Sequence, residues 1–283
     1  MTLELLVPPD FSFLETVAAH GWRRLLPFVW DEETQTLTRA EDFGDGAVVH
    51  LRLRAGEDCL EVDTESGDSE EVTRRVRRML QLDLPLDSFH AYCLQRPELA
   101  HLVECRRGRM LRSPMLFEDT VKVIATSNTT WAQTIAMTAR LVERFGASGQ
   151  AFPTPQRIAE VPFEEFAEKA RMGYRAAYVH TIATGITSGA LDLEAWQNED
   201  LSADDLRKRL LSLPGIGPYG AACLMLYLGR PEHVNADSVA RARLSGELGR
   251  PVTDKDVLTF FEAHGEWRGL VYNFYPWRKN DAP

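Results

Sequence analysis

Asp237, in "VNADSVARA", follows a loop and directly precedes a helical pattern, and it stands 20 residues after Gly217 of "LLSLPGIGPYGAACLMLYLG" (210–229). In that earlier stretch a helix ends at Leu213, Pro214, Gly215, Ile216 and Gly217 make a turn, and Pro218 opens a new helix. The result is a helix-hairpin-helix over 213–219. Glycine lets a backbone reach positive φ and approach another backbone closely, so the N–H groups around Gly215 and Gly217 can point outward together. Beside a fresh helix N-terminus they form an anion site suited to a DNA phosphate, with Ile216 plugging the core between the helices. A carboxylate near a gripped phosphate is also near a sugar. Glycosidic cleavage passes through an oxocarbenium-like cation that a fixed negative charge stabilises, which is the chemistry open to Asp237. Without a ligand, the same residues describe a tight αα-corner followed by an ordinary N-cap, a position that Asp favours.

These residues need a frame. The opening "PPDFSFLETVAAHGW" reads as a short helix with Asp10 or Ser12 as N-cap, Phe13, Leu14 and Val17 on one face, and Gly21 at its end. "WRRLLPFVW", "TQTLTRAEDF" and "AVVHLRLR" have strand composition and are separated by "DEE" and "GDG" turns. They predict a small N-terminal antiparallel sheet domain over 1–68. Past the acid-rich break "TESGDSEE" the apolar period moves from two toward 3.6. Helical patterns there include "SEEVTRRVRRMLQL", "LFEDTVKVIATSN", "WAQTIAMTARLVERFG", "TPQRIAEVPFEEFAEKA", "YRAAYVHTIATGITSG" and "GAACLMLYLG", and they predict a helical domain over 69–283. The fold class is α+β, mostly helical.

At 283 residues, 44% hydrophobic and 26% charged, the chain has the composition of a soluble globular protein. No run approaches the roughly 18 apolar residues of a membrane span, and the N-terminus lacks the pattern of a secretory leader, so the expected location is cytoplasmic. Cys59, Cys93, Cys105 and Cys223 form no CxxC pair and have no close His partner. That argues against a zinc site, an iron–sulfur cluster and a disulfide framework, and reads them as small buried hydrophobes. The net charge of −10 argues against polyanion binding by the whole surface, but basic residues cluster at 74–78, 106–112 and 207–209. Each cluster is either a solvated helix face or a phosphate contact.

"LPGIGPYGAAC" followed by "VNADSVAR" resembles the helix-hairpin-helix (HhH-GPD) DNA glycosylase superfamily. "GRMLRSPMLFEDTVKVIATSNTTWAQTIAMTARLVERFG", "FPTPQRIAE" and "MGYRAAYV" are similar to segments of its 3-methyladenine II and 8-oxoguanine branches. The resemblance implies a mostly helical glycosylase fold with an N-terminal sheet, and a DNA N-glycosylase of base excision repair. It further implies damaged double-stranded DNA as partner, a monomer, no membrane, and no cofactor beyond the monovalent cation that family members often hold on the hairpin carbonyls. On this resemblance Asp237 matches the catalytic aspartate. Asn128 in "SNTT" resembles the asparagine that enters the gap left by a flipped base, while Tyr174 and Arg175 in "GYRA" resemble the wedge and the arginine that engage the orphaned partner base. Extruding a base costs a few kcal/mol, so such substitutes are physically required. Apart from the resemblance, Tyr174 and Arg175 are a helix start.

The bifunctional 8-oxoguanine enzymes carry a nucleophilic lysine two residues past the last hairpin glycine; here that position is Tyr219. The lysines are Lys122, Lys169, Lys208, Lys255 and Lys279, none on the motif, so no Schiff base is expected and water must attack. An aromatic at 219 is what the alkylated-base enzymes resemble, because electron-rich rings stack on cationic bases. "PPDFSF" also leans to that branch. Cys223, a base-pocket position in the 8-oxoguanine branch, and the Asn128/Arg175 pair pull the other way, although Gln133 stands where that branch has a second arginine. As a plain helix residue, Cys223 is a small core side chain. The expectation is a monofunctional glycosylase for alkylated purines; the alternatives are an 8-oxoguanine-type glycosylase and a non-catalytic HhH DNA-binding protein.

Overall fold

Alternation of apolar and polar residues builds the N-terminal sheet. In the computed structural model, which describes residues 1–44, 46–65, 68–234 and 236–277, the strands are β1 (Thr2–Leu6), β2 (Phe28–Asp31), β3 (Thr36–Asp42), β4 (Val48–Ala55) and β5 (Cys59–Thr64). They form one antiparallel sheet in the order β1-β5-β4-β3-β2. Along β4, Val49, Leu51 and Leu53 are buried while His50 and Arg52 face solvent, as period-two alternation requires. The sequence reading missed β1 and β5. "CLEVDT" sits inside an acid-rich stretch, yet Leu60, Val62 and Thr64 are its buried face, and Leu3 of β1 lies opposite Val62.

The helices are α1 (Phe13–Ala18), α2 (Ser69–Met79), α3 (Asp87–Leu94), α4 (Ala100–Glu104), α5 (Leu116–Thr126), α6 (Trp131–Phe145) and α7 (Pro155–Ala159). Then follow α8 (Phe163–Ala170), α9 (Arg175–Thr187), α10 (Ala203–Leu211), α11 (Pro218–Tyr227), α12 (Ser238–Leu248), α13 (Asp254–Glu262) and α14 (Arg268–Phe274). Ser12, not Asp10, caps α1 by accepting from the Glu15 N–H, and Leu14 points outward rather than joining Phe13 and Val17. Gly21 begins a short 3₁₀ turn instead of ending α1. The segment read as one helix over "TPQRIAEVPFEEFAEKA" is two, α7 and α8, because Pro162 has no N–H to continue the ladder. No helix among the described residues is long and apolar enough to cross a membrane.

Sheet and helices share one apolar core, which runs from Leu51 and Leu53 to Val121, Ile124 and Leu224. At their junction the inward face of β3 turns from apolar to charged, because alternation places Arg39 and Glu41 on the same side as Leu37. Arg39 donates from Nη1 (3.0 Å) and Nη2 (2.6 Å) to the two carboxylate oxygens of Glu118 on α5, and also pairs with Glu41. Lys122, one turn along α5 and fully buried, contacts Glu118 at 2.7 Å, and Arg75 of α2 reaches Glu41 at 2.8 Å. Beside this cluster the Asp119 carboxylate accepts from Trp22 Nε1 (2.9 Å) and the Ser113 N–H (2.8 Å), with Arg112 at 3.3 Å.

The basic clusters at 74–78 and 106–112 are therefore largely structural. Arg75, Arg109 and Arg112 are buried, Arg74 pairs with Glu71, Arg77 with Asp83 and Arg107 with Glu15. A role for them as free phosphate contacts is corrected by these pairings. The cysteines also differ from the uniform burial expected: Cys93 is buried, Cys59 and Cys223 are half-buried, and Cys105 is exposed.

Burial alone would push the Glu118 carboxyl up, but the charges of Arg39 and Lys122 outweigh it and hold it down at about 2. Its stabilising contribution is thus complete above the ordinary glutamate range and lost as pH falls toward 2. Glu118→Gln leaves Arg39 and Lys122 buried against a neutral amide. The expected cost is about 3–5 kcal/mol at neutral pH, read from the denaturant midpoint, with the difference from wild type shrinking as the pH drops toward 2.

Candidate active site

The hairpin is built by its neighbours as much as by its own residues. Ser202 caps α10 by accepting from the Asp205 N–H at 3.1 Å, and α10 ends just before the turn. Gly215 has φ +82°, and a Cβ there would lie 2.5 Å from Cδ2 of Tyr178, so this glycine is required by both conformation and packing. Gly217 differs. Its φ is −95°, and a Cβ there would meet nothing within 4 Å. What its missing side chain provides is an open face at the start of α11, where no side chain caps the helix. Ile216 is buried between the helices, as its position predicted.

Asp237 is the N-cap of α12, and its Oδ1 accepts the Ala240 N–H at 2.7 Å. One carboxylate oxygen is thereby anchored at the positive end of a helix while the residue stays half-exposed. Tyr219 and Cys223 lie one turn apart on the same face of α11. The Tyr219 hydroxyl is 3.3 Å from Thr126 Oγ1 at the end of α5 and also meets the Cys223 thiol. Burial, then the neighbouring Cys223, raises the Tyr219 hydroxyl well above its ordinary value, and burial pushes Cys223 up to about 12; the charge of Asp237 adds to both. Tyr272 of α14 is raised in the same way, by burial and then by Asp237. Aspartate, two tyrosines and a neutral thiol therefore share one partly dry site.

Tyr272 was not among the residues singled out from sequence. The stretch "LVYNF" lacks the caps and length that mark a helix, and α14 is only seven residues long. One turn beyond Cys223, Tyr227 stacks on His20 with centroids 5.0 Å apart and packs against Trp22, so the site's rear wall continues into the sheet-side layer. Burial lowers His20 to about 4, which keeps the stacked imidazole neutral.

Asn128 and Tyr174 lie exposed on the loops before α6 and α9. Asn128 adopts φ +48°, a left-handed conformation that Asn tolerates. Arg175 is buried. Its Nε donates to the Ser127 carbonyl at 3.2 Å, Nη2 to the Asn128 carbonyl at 3.1 Å, and its guanidinium lies 4.6 Å from the Tyr174 ring. In this structure the guanidinium thus ties the Asn128 loop to the Tyr174 loop instead of reaching into solvent toward a partner base. Gln133 is likewise committed, since it completes a capping box with Thr130 at the start of α6. Tyr174 packs edge-on to Tyr178, whose ring seats Gly215, so Tyr174 and the hairpin share one support. The hairpin turn itself carries no carboxylate. The donors it could offer a monovalent cation are backbone carbonyls, neutral oxygens that suit a weakly held ion.

The sequence model of the HhH-GPD superfamily, described as base excision DNA repair proteins, matches residues 121–264. A relative from Mycobacterium tuberculosis (strain CDC 1551), named "Probable bifunctional transcriptional activator/DNA repair enzyme AlkA", is 27% identical over 278 residues. The match takes in 93% of this chain and 49% of the relative, so the chain spans about half the relative's length. Among solved structures, the 3-methyladenine DNA-glycosylase of Archaeoglobus fulgidus superposes with a TM-score of 0.73 at 19% identity, covering 97% of each chain. The apo form of the 8-oxoguanine glycosylase/lyase of Clostridium acetobutylicum gives 0.72 at 20%, covering 97% of this chain and 98% of the other. At such identities these two likenesses are likenesses of fold.

The two hairpin glycines should respond differently to substitution. Gly215→Ala is strained at positive φ and collides with Tyr178, and is expected to lower stability by about 1–3 kcal/mol. Gly217→Ala is expected to melt close to wild type. Equal losses in a thermal-unfolding comparison would contradict the distinction drawn between them.

Proposed function

The chain belongs to the HhH-GPD superfamily of base excision DNA repair proteins, and we propose that it is a monofunctional DNA glycosylase hydrolysing the N-glycosidic bond of alkylated purines in duplex DNA. The observation that carries this reading is Tyr219, half-buried beside Asp237 at the hairpin position where a nucleophilic amine would otherwise stand. Three of the lysines are committed elsewhere: Lys122 to Glu118, Lys169 to Glu165 and Lys208 to Asp205. Lys255 lies exposed on α13, and Lys279 falls outside the described residues.

In this reading a monomer grips the damaged strand through the hairpin N–H groups. Tyr174 and Asn128 fill the gap behind the extruded nucleotide, with Arg175 holding their two loops in place. The base enters between Tyr219 and Tyr272, whose ring faces attract the positive charge of an alkylated purine. Asp237 stabilises the oxocarbenium-like sugar and orients the attacking water. A cationic purine is a good leaving group, so the raised, protonated Tyr219 and Cys223 suffice as hydrogen-bond donors and no strong general acid is needed. A monovalent cation on the hairpin carbonyls would add positive charge at the phosphate.

One observation favours a second reading. Cys223 faces the same site and meets the Tyr219 hydroxyl, which suits an oxidised purine with more polar edges.

A panel of duplexes carrying methylated purines or 8-oxoguanine separates the readings by base release. Wild type is expected to release methylated purines, and Asp237→Asn to lose at least about 100-fold in rate while keeping its melting temperature, since Asn also caps helices. Release by both proteins, or by neither on any lesion, defeats the proposal. Borohydride should trap no covalent enzyme–DNA adduct; trapping that Lys255→Ala abolishes would reveal an amine nucleophile and end the monofunctional reading.

A further inference from the structure

Beside Tyr219, along the Pro218 and Ala222 flank of α11, lies a cavity of about 530 Å³ between α11, α13 and the residues that lead to Asp237. Its wall includes Tyr219 and Ala236 but neither Cys223 nor Tyr272, so it adjoins the proposed base pocket without coinciding with it. Four basic side chains from four different places in the chain converge on it: Arg207 of α10, His233, Lys255 of α13 and Arg268 at the start of α14.

These residues are not used up in the way the earlier basic clusters are. Among the described residues Arg207, Lys255 and Arg268 form no ion pair with a carboxylate, and Arg268 spends only its Nε, on the Gly265 carbonyl at 2.7 Å. His233 is 4.0 Å from Asp204. Of the carboxylates on the cavity wall, Asp254 is bound by Arg241, leaving Glu262 as the opposing charge. Arg207, Arg268 and His233 line the same cavity, and burial and the two guanidinium charges lower the His233 imidazole against the raising effect of Glu232 and Asp204. Cations gathered without partners repel one another, and an anion between them removes that cost.

We infer that this cavity is a phosphate site, occupied by a phosphodiester of the strand that carries the extruded nucleotide and held by Arg207, His233, Lys255 and Arg268. The inference rests on the DNA reading above for the source of the phosphate, and on the cavity's own charges for the site. Apolar wall on Pro218, Val234 and Leu258 leaves room for the attached sugar. The hairpin N–H groups and this cavity then hold neighbouring points of one strand on either side of Tyr219.

The test uses the full chain and two probes. Inorganic phosphate, titrated at low salt, is expected to shift the His233 ring signals saturably in NMR, and the shift should vanish in Arg207→Gln/Arg268→Gln. For a duplex with a stable abasic analogue, Lys255→Gln is expected to bind several-fold more weakly, with the salt dependence reduced by about one phosphate contact. Lys255 is exposed, so this variant should melt with wild type. If phosphate leaves the His233 ring unmoved and all variants bind duplex with unchanged affinity and salt slope, the site is overturned and the DNA reading survives. If phosphate moves the ring but duplex does not bind, the site stands as one for free phosphate and the DNA reading falls.

Discussion

The Glu118–Asp119 pair at the start of α5 is the constraint on which the rest depends. Two carboxylates buried side by side are tolerable only with cations and donors to match, and these come from β3, from the same helix, and from the segment before it. Because Arg39 belongs to the sheet and Lys122 to the helical body, satisfying Glu118 fixes how the two parts meet. Trp22, which donates to Asp119, also packs on Tyr227 of α11 and so carries that alignment to the back of the active site.

From α5 the same logic extends forward. Thr126, one turn beyond Lys122, meets the Tyr219 hydroxyl, and the loop that follows α5 is held by Arg175. A single helix thus registers the sheet at one end and the Tyr219 face of α11 at the other. Asp237 comes from a separate direction, as the cap of α12. One of its oxygens is fixed by the Ala240 N–H, so the cap that serves folding also sets the orientation on which the proposed chemistry depends. The helix N-terminus that the carboxylate stabilises also holds it in position.

The distribution of charge reconciles a net charge of −10 with the proposed nucleic-acid substrate. Much of the basic surface suggested by "RRVRR" and "RRGRMLR" is turned inward or paired with acids. Among the described residues Arg207 of α10, Lys255 of α13 and Arg268 of α14 have no carboxylate partner, and they line a cavity with Pro218 and Tyr219 of the hairpin's second helix. A locally positive site on an acidic body favours contact at that site over general adhesion to polyanions.

Much of this was legible in the chain itself. The hairpin, the capping aspartate, Tyr219 and Cys223 on one helical face, and the change from period two to period 3.6 all depend on local spacing, and local spacing is what sequence records. The strand β5 was concealed by acidic composition, and β1 and α14 by their shortness, so Tyr272 went unseen. Other features depend on residues distant in the chain meeting in space. That Gly215 is required by Tyr178 while Gly217 is not, that Arg175 spans two loops, that many arginines are paired with carboxylates of the same chain, and that three cations and an imidazole surround one cavity are outcomes of packing. Residue types and their intervals determined which chemistry was available; only the tertiary structure decided which charges were consumed in holding the fold and which were left to act on a ligand, because pairing is settled by distance in space and not by order along the chain.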